Sequence, residues 1–563
     1  MRSDAAVYYE SLSPLTPGDE ELLKKLVCRF GGQPFSELAW EGISSISRSG
    51  VEMKLSFIRL RKYRWVHAVK KSWGERLYYI PVEKLIQLLT FFFSPGDQHA
   101  SDPSGLHIRC EAGPGIALDL LHLLAFAADQ GLTLTAKGTV HKKNLQKLQK
   151  LISLKEEHLW RLALQYAHQD TYPPELAVIL DLLLCTGLLS PNTGALGLEE
   201  KRLRQWLCLN ELEMNRLLLR AAIERYGQSD AAMQLFRYII CMPPFGEGKW
   251  IKVSSVLQWM EDERMLIAGD CSDKAAAWLY VLAGFGWGDV AATVDGEFAF
   301  RWNIEPELLP GSAILYEYGD ENFFVQPDFD IICPPNVPFL ARWKLLACAD
   351  LVLCDRVSVY KLTRSSVGRA VEKGMSPPEI LSFLAANGAG GIPDHVAAAV
   401  GQWGNDPLKT VGGNGLTDYT YPLIYRDKMD EAHGNMWSES FYDEHQGMVY
   451  SGRNVHFFEP DDDIPEPASL FPGYEQVPTR WLHDLRTYHS STARTIVEQA
   501  QSWQTKIVLN LGGKRAEFTP TKVYPSPWRA EGILHHLETG RFEPHELRVE
   551  ELGELKLILP PFD

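Results

Sequence analysis

Apolar positions follow a helical rhythm through most of the first 400 residues, with short alternating stretches between, and alternation takes over toward the carboxy terminus. In the first block, DEELLKKLVCR and PFSELAWEGI predict two helices, and Ser49-Gly50 opens a third through VEMKLSFIRLRKY. RWVHAV and RLYYIP then alternate as strands, with KKSWGE between them and Gly74 able to take the turn. In the third predicted helix Met53, Phe57 and Leu60 form one apolar stripe and Val51, Leu55 and Ile58 a second, so it should be largely buried. A second block contains KGTVHKKNLQKLQKLISLK, where Leu145, Leu148 and Ile152 fall on one helical side and Lys143, Lys147 and Lys150 on the other. In a third block, KWIKVSSVLQWM, AAAWLYVLAGFGWGDV and EFAFRWN place Trp250, Trp259, Trp278 and Trp302 at core-like positions.

Helix, helix, helix, hairpin is the order of a winged helix, in which the third helix usually enters a major groove and the hairpin, the wing, touches phosphates. The predicted fold class is a mainly α, multidomain α+β protein. It comprises tandem winged-helix modules (1–95 and 110–225), a winged-helix-like module used for packing (228–305), an α/β module (310–403), a partly disordered linker (404–476) and a small β-barrel-like domain (477–563). Three stretches read as joints: SPGDQHASDPSG, GNDPLKTVGGNG and EPDDDIPEPASLFPG.

Charge sharpens this picture. The chain carries a formal net charge of −16, yet nine basic residues between 48 and 76 face only Glu52 and Glu75. Lys54, Arg59, Arg61, Lys62, Arg64, Lys70, Lys71 and Arg76, with Arg48 before them, are therefore candidate phosphate contacts on the wing and helix end. Residues 137–155 hold six lysines and no acid, and Lys137, Lys142, Lys143, Lys147 and Lys150 are a second set of candidates. Segregated positive charge in an acidic chain suits duplex DNA as partner.

Other chemistry is sparse. Nine cysteines without a CxxC pair suggest reduced thiols rather than a disulfide or zinc framework, and no HExxH occurs. Apolar runs such as LLHLLAFAA and LAVILDLLLCTGLL fall short of the roughly 20 residues that a membrane span needs, and the start does not read as a signal peptide, so a cytoplasmic protein is expected.

From Phe323 the chain runs FFVQPDFDIICP, read as one strand; WKLLACADLVL, read as a helix; and VSVYKLT, a strand delivering Thr363, Ser365 and Ser366 to cap SVGRAVEKG. Gly374 should end that helix and Pro377-Pro378 start the next. Val325, Pro327, Asp328, Tyr360, Lys361, Leu362, Thr363, Ser366, Ala370, Gly374, Ile380, Leu381, Leu384, Pro393, Asp394 and Val396 fall on the V-x-P-D, Y-K-L-T-x-x-S, A-x-x-x-G, I-L-x-F-L and P-D-x-V pattern of a known module. The stretch resembles the N-terminal, helicase-associated domain of XPB helicases. That resemblance implies a docking role, with Val325, Pro327, Asp328, Tyr360, Lys361, Leu362, Thr363, Ser366 and Gly374 as docking candidates and an XPB-like DNA helicase as partner. XPB's own motor domains need a GxxxxGK[ST] phosphate loop. This chain offers only GEGKW and LGGKRA, and its DEHQ lacks the preceding apolar strand.

At the carboxy terminus, Ser490, Ser491 or Thr492 should cap a helix leading into KIVLNL, the turn GGKR, AEFTPTKVYP, WRAEGIL and ELKLILP. This order resembles the WYL-type module, although Arg529-Ala530 stands where Tyr-Leu would follow Trp528. The expectation is a non-catalytic DNA-binding and docking accessory protein for an XPB-type helicase in DNA repair, needing no cofactor. The rival expectation is a winged-helix transcription regulator with a carboxy-terminal sensor.

Overall fold

The computed structural model describes residues 14–43, 45–96, 105–159, 161–226, 230–243, 245–265, 271–306, 308, 321–405, 447–450 and 458–561. They belong to two compact units, one joining residues 1–93 to 455–563 and the other spanning 94–454. No helix among the described residues is long and apolar enough to cross a membrane. The architecture is α+β, with several small antiparallel sheets. DEHQ, most of the joint GNDPLKTVGGNG and most of the joint SPGDQHASDPSG lie outside the described residues.

The first unit opens with α1 (Pro17–Phe30), β1 (Phe35–Ser36), α2 (Glu37–Glu41), α3 (Gly50–Lys62), β2 (His67–Lys70), β3 (Arg76–Tyr79) and α4 (Val82–Phe92). PFSELAWEGI is thus not one helix. Phe35 and Ser36 pair with β3, and Ser36 then caps α2 by accepting from the Ala39 amide at 3.3 Å. Both apolar stripes of α3 are buried, as their phase predicts. Gly74, at φ 91°, turns the β2–β3 hairpin.

The sheet runs β1-β3-β2-β15, and its last strand is β15 (Glu459–Pro460). The acidic stretch expected to punctuate the chain therefore folds onto the hairpin. Glu459 and Pro460 pair with Lys70 and Val69, and Phe471 enters the core of the carboxy-terminal part. Composition alone suggested disorder, but the carboxylates and carbonyls here find arginine partners (below).

That carboxy-terminal part holds α18 (Thr479–His483), β16 (Arg486–Thr487), α19 (Ser490–Ser502), β17 (Lys506–Leu511), β18 (Lys514–Pro525), β19 (Trp528–His536), β20 (Arg541–Arg548) and β21 (Glu554–Ile558). The strands pair antiparallel in the order β16-β21-β17-β18-β19-β20. The expected barrel is therefore an open six-stranded sheet: β16 and β20 end it and do not pair with each other among the described residues. Gly512 and Gly513, at φ 59° and 87°, make the two-residue turn from β17 to β18. Helix α19 packs Ala493, Ile496, Val497 and Ala500 on this sheet, and its cap is His489, whose ring accepts from the Ser491 amide at 3.4 Å.

The second unit contains β4 (His107–Cys110), α5 (Ile116–Gln130), β5 (Leu132–Thr133), α6 (Lys142–Leu148), α7 (Glu156–Leu159), α8 (Pro174–Cys185), β6 (Leu189–Asn192), β7 (Ala195–Leu198), α9 (Glu200–Leu207) and α10 (Glu211–Arg225). Next come α11 (Ala231–Ile239), β8 (Trp250–Lys252), α12 (Val253–Asp262), α13 (Ser272–Gly284), β9 (Gly288–Ala292) and β10 (Phe298–Trp302). Helix, short strand, helix, helix, hairpin is the order from α11 to β10, and the order from α5 to β7 is the same but for the additional four-residue α7; the sheets are β4-β9-β10-β8 and β5-β7-β6. Trp278 and Trp302 are in the core, whereas Trp250 and Trp259 are half-buried.

The last module of this unit has β11 (Phe324–Val325), β12 (Asp330–Cys333), α14 (Phe339–Cys348), β13 (Asp350–Leu353), β14 (Ser358–Lys361), α15 (Arg364–Glu372), α16 (Pro377–Asn387) and α17 (Asp394–Asn405), with sheet order β11-β12-β14-β13. FFVQPDFDIICP is a hairpin rather than one strand: Pro327 and Asp328 occupy its turn, and the Gln326 amide donates to the Asp330 carbonyl at 2.8 Å. The helix predicted over WKLLACADLVL stops at Cys348. Asp350 becomes extended because its carboxylate accepts from the Thr363 hydroxyl at 2.9 Å and from Arg369, tying it to the next helix. Thr363 and Ser366 form a reciprocal capping box, and Gly374, at φ 93°, ends α15.

Candidate nucleic-acid interface

In the first basic cluster α3 carries four of the nine basic residues, and neighbours engage three of those and Arg48 just before it. Arg48 donates to the carbonyls of Gly18 (2.6 Å) and Glu52 (2.9 Å) and to the Ser56 hydroxyl (2.7 Å). Lys54 pairs with Glu41 at 3.0 Å. Arg59 grips the fully buried carboxylate of Asp19 through two nitrogens, at 2.9 and 2.7 Å. Burial works to raise the Asp19 pKa, but the hydrogen bonds led by Arg59 hold it below the ordinary value. Arg59 and Arg48 are therefore structural.

The hairpin is occupied as well. Arg61 is 5 % exposed: its guanidinium lies 5.5 Å from the Tyr78 ring centre and donates to the carbonyls of Asp463 and Asp461 at 2.7 Å each. Arg76 meets the Asp461 carboxylate at 2.5 Å and Asp463 at 3.7 Å. Burial tends to raise the Asp461 pKa, and the hydrogen bond from Arg76 overcomes that and keeps it ionised below the usual range. Lys71 bonds Glu75 at 2.9 Å, lowering that carboxyl's pKa, and lies over Trp73. Lys62, Arg64 and Lys70 are exposed and form no ion pair among the described residues.

As a set of outward-facing phosphate contacts the first cluster is thus corrected. Lys54, Arg59, Arg61, Lys71 and Arg76 are engaged, and three cations stay open. The N-terminus of α3 is covered too, since the Val51 amide donates to the Gln504 carbonyl at 3.0 Å and Glu52 pairs with Lys506 at 3.1 Å. The residues that sequence reasoning missed are Asp461 and Asp463. Their signal was present, a run of three aspartates in a chain with a basic hairpin elsewhere, but nothing local says that the two meet.

The second cluster keeps its charge. Leu145 and Leu148 anchor α6 inward, while Lys137, Lys142, Lys143, Lys147 and Lys150 are exposed. Lys147 donates to the Gln130 side chain at 2.6 Å; Lys137, Lys142, Lys143 and Lys150 make no ion pair among the described residues. The segment after α6 is held from beneath by the buried carboxylate of Asp119, which accepts from the Ser153 amide (2.7 Å), the Ser153 hydroxyl (2.9 Å) and the Leu154 amide (3.0 Å). Burial still pushes Asp119 up to about 6. One turn along α5, His122 is buried, and burial pushes it down to about 4.

Among the described residues no three His, Cys, Asp or Glu side chains are grouped to hold a metal ion. A cavity of about 310 Å³ is lined in part by Gly113, Gly115, Arg301, Arg342 and Arg356. Arg342 is already committed to the carbonyls of Pro334, Pro335 and Val337.

Most of the expected docking set is internal. Val325, Tyr360, Leu362 and Ser366 are buried, Thr363 is spent on its cap, and Lys361 pairs with Asp330 at 2.8 Å. In this chain these residues hold the module together. Pro327, Asp328 and Gly374 remain exposed, and the His395 ring donates to the Pro327 carbonyl at 2.7 Å. A family model described as the helicase conserved C-terminal domain matches residues 323–406. This segment is a helicase-related domain. No curated protein matches the chain. The helicase-related domain shares its unit with the open lysine face of α6.

Proposed function

We propose that this protein is a non-catalytic accessory factor that holds duplex DNA through the lysine face of α6 and docks onto an XPB-type helicase through its helicase-related domain, in DNA repair. The single observation that carries the DNA reading is the contrast between exposed, unpaired Lys137, Lys142, Lys143 and Lys150 and the acidic balance of the whole chain. Cations spaced along one short helix meet phosphates without reading bases. The three blocks with helix, strand, helix, helix, hairpin order are, in this reading, winged helices whose third helices serve packing: every residue from Glu175 to Cys185 in α8 is buried.

That burial disfavours the rival reading, because an operator-binding regulator needs a base-reading helix on the surface. Fluorescence anisotropy with duplexes of unrelated sequence tests the choice. Equal affinities that fall steeply with salt fit the accessory factor, and strong preference for one sequence would support the regulator. Pull-down of an XPB-type helicase from the same source, followed by ATPase and unwinding assays with and without this protein, tests the docking half. Neither association nor any change in helicase activity would remove it.

A further inference from the structure

The hairpin of the first unit is covered by a segment whose chemistry imitates what a hairpin of this kind would otherwise hold. Asp461 presents its carboxylate to Arg76 as a phosphate oxygen would, and the carbonyls of Asp461 and Asp463 fill the guanidinium fork of Arg61. The same segment closes the free edge of β2, where Glu459 faces Lys70, Pro460 faces Val69, and the Asp461 amide donates to the Ala68 carbonyl at 2.9 Å.

We propose that residues 459–463 are a displaceable acidic strap that keeps a second duplex-binding site closed, and that DNA phosphates compete with it for Arg61 and Arg76. The proposal rests on the DNA-binding reading above and adds its regulation. With the strap away, Arg61 and Arg76 join Lys62, Arg64 and Lys70 as five cations on one hairpin and the adjoining helix end. The strap is built to leave. Its strand is two residues long, Pro460 has no amide to donate, and Asp462 and Asp463 are exposed. Its ion pairs with Arg76 are weakened by salt, and a polyanion competes with it for both arginines.

The neighbouring Asp462 provides an internal control, for it carries the same charge in the same segment without an ion pair among the described residues. Binding of a fluorescent duplex of about 20 base pairs is measured by anisotropy across a salt series for the full chain and its variants. The double variant Asp461→Asn, Asp463→Asn, which strips Arg76 of its carboxylates while Arg61 keeps its main-chain carbonyl partners, should bind about fivefold tighter at low salt, with a log–log salt slope steeper by about 1. Asp462→Asn should stay within about twofold of wild type, and adding Arg76→Gln to the double variant should reverse part of the gain.

Hydrogen exchange on the unaltered protein gives a readout that no folding defect can confuse: saturating duplex should speed exchange at the Asp461 amide. If the double variant binds no better than Asp462→Asn, or if duplex protects the Asp461 amide, the strap proposal is wrong. Should wild type bind through α6 while the double variant gains nothing, the strap alone fails. Should neither protein bind duplex at any salt, the strap falls together with the DNA reading.

Discussion

The two basic clusters look alike as strings of letters and differ as surfaces. Between residues 48 and 76 the cations meet Glu75 within the segment and acids from three places outside it: Asp19 in α1, Glu41 in α2, and Asp461 with Asp463 some 400 residues away. Between 137 and 155 the lysines meet a glutamine, solvent and, for Lys155 alone, Glu157 at 3.6 Å. Formal charge is a property of sequence, whereas available charge is what remains after the fold has assigned partners. A cluster on a helix that packs on both sides, as α3 does, has its cations drawn into the interior; one on a helix with a single buried stripe keeps them outside.

The strongest way to break this contrast is through Arg59. Arg59→Leu leaves the Asp19 carboxylate fully buried without its cation, which should destabilise the first unit by about 3 kcal/mol in urea unfolding. Duplex affinity of the folded variant should be unchanged. A variant that keeps its stability but loses DNA binding would make Arg59 a phosphate contact after all.

Next in size is the pH response of the support beneath α6. His122, held near 4 instead of 6.5, stays neutral in the folded state while the unfolded chain protonates, so its contribution is intact above pH 6.5 and is lost as pH falls toward 4. Asp119, raised from 3.8 to about 6, acts oppositely: the folded state takes up its proton first, so stability rises as pH falls from 6 toward 3.8. The two trends offset in wild type. His122→Leu exposes the Asp119 trend alone, so at pH 4.5 the variant should exceed wild type by about 2–3 kcal/mol more than it does at pH 8, read by thermal or urea unfolding. Parallel stability curves for the two proteins from pH 8 to 4.5 would show that the imidazole is not held neutral.

The sequence made some of this visible, for physical reasons that can be named. Helical phase in VEMKLSFIRL showed that α3 would be buried, because periodicity reports burial directly. The Thr363–Ser366 cap and the Gly512-Gly513 turn were readable because their chemistry is local. The strap was not, since β15 is two residues long and owes its place to Arg61 and Arg76, which no window of sequence contains together with Asp461. The docking set divides in a way that the pattern did not foretell: Tyr360 and Leu362 are buried in the module's own core, while Pro327, Asp328 and Gly374 are exposed.

Affinity separates the clusters next. Changing Lys137, Lys142, Lys143 and Lys150 together to Gln should leave unfolding within about 0.5 kcal/mol of wild type, since all four are exposed. Duplex binding should weaken by at least about tenfold, and the log–log salt slope should flatten by about 3 to 4, one unit for each lysine that meets a phosphate. Unchanged binding would place the contact elsewhere.

The smallest expected effect is the most discriminating. Lys62, Arg64 and Lys70 are the open remainder of the first cluster, and with the strap in place Lys70 faces Glu459 next to the run of Asp461, Asp462 and Asp463. Neighbouring carboxylates reduce what three exposed cations can offer a phosphate, and screening at physiological salt reduces it further, over about 8 Å. Lys62→Gln, Arg64→Gln and Lys70→Gln in combination should therefore shift duplex affinity less than about threefold and the salt slope by less than about 1. A loss as large as that from the four lysines of the second cluster would mean that the hairpin is already engaged with DNA while covered, and that fold-assigned partners do not subtract from available charge in the way the two clusters suggest.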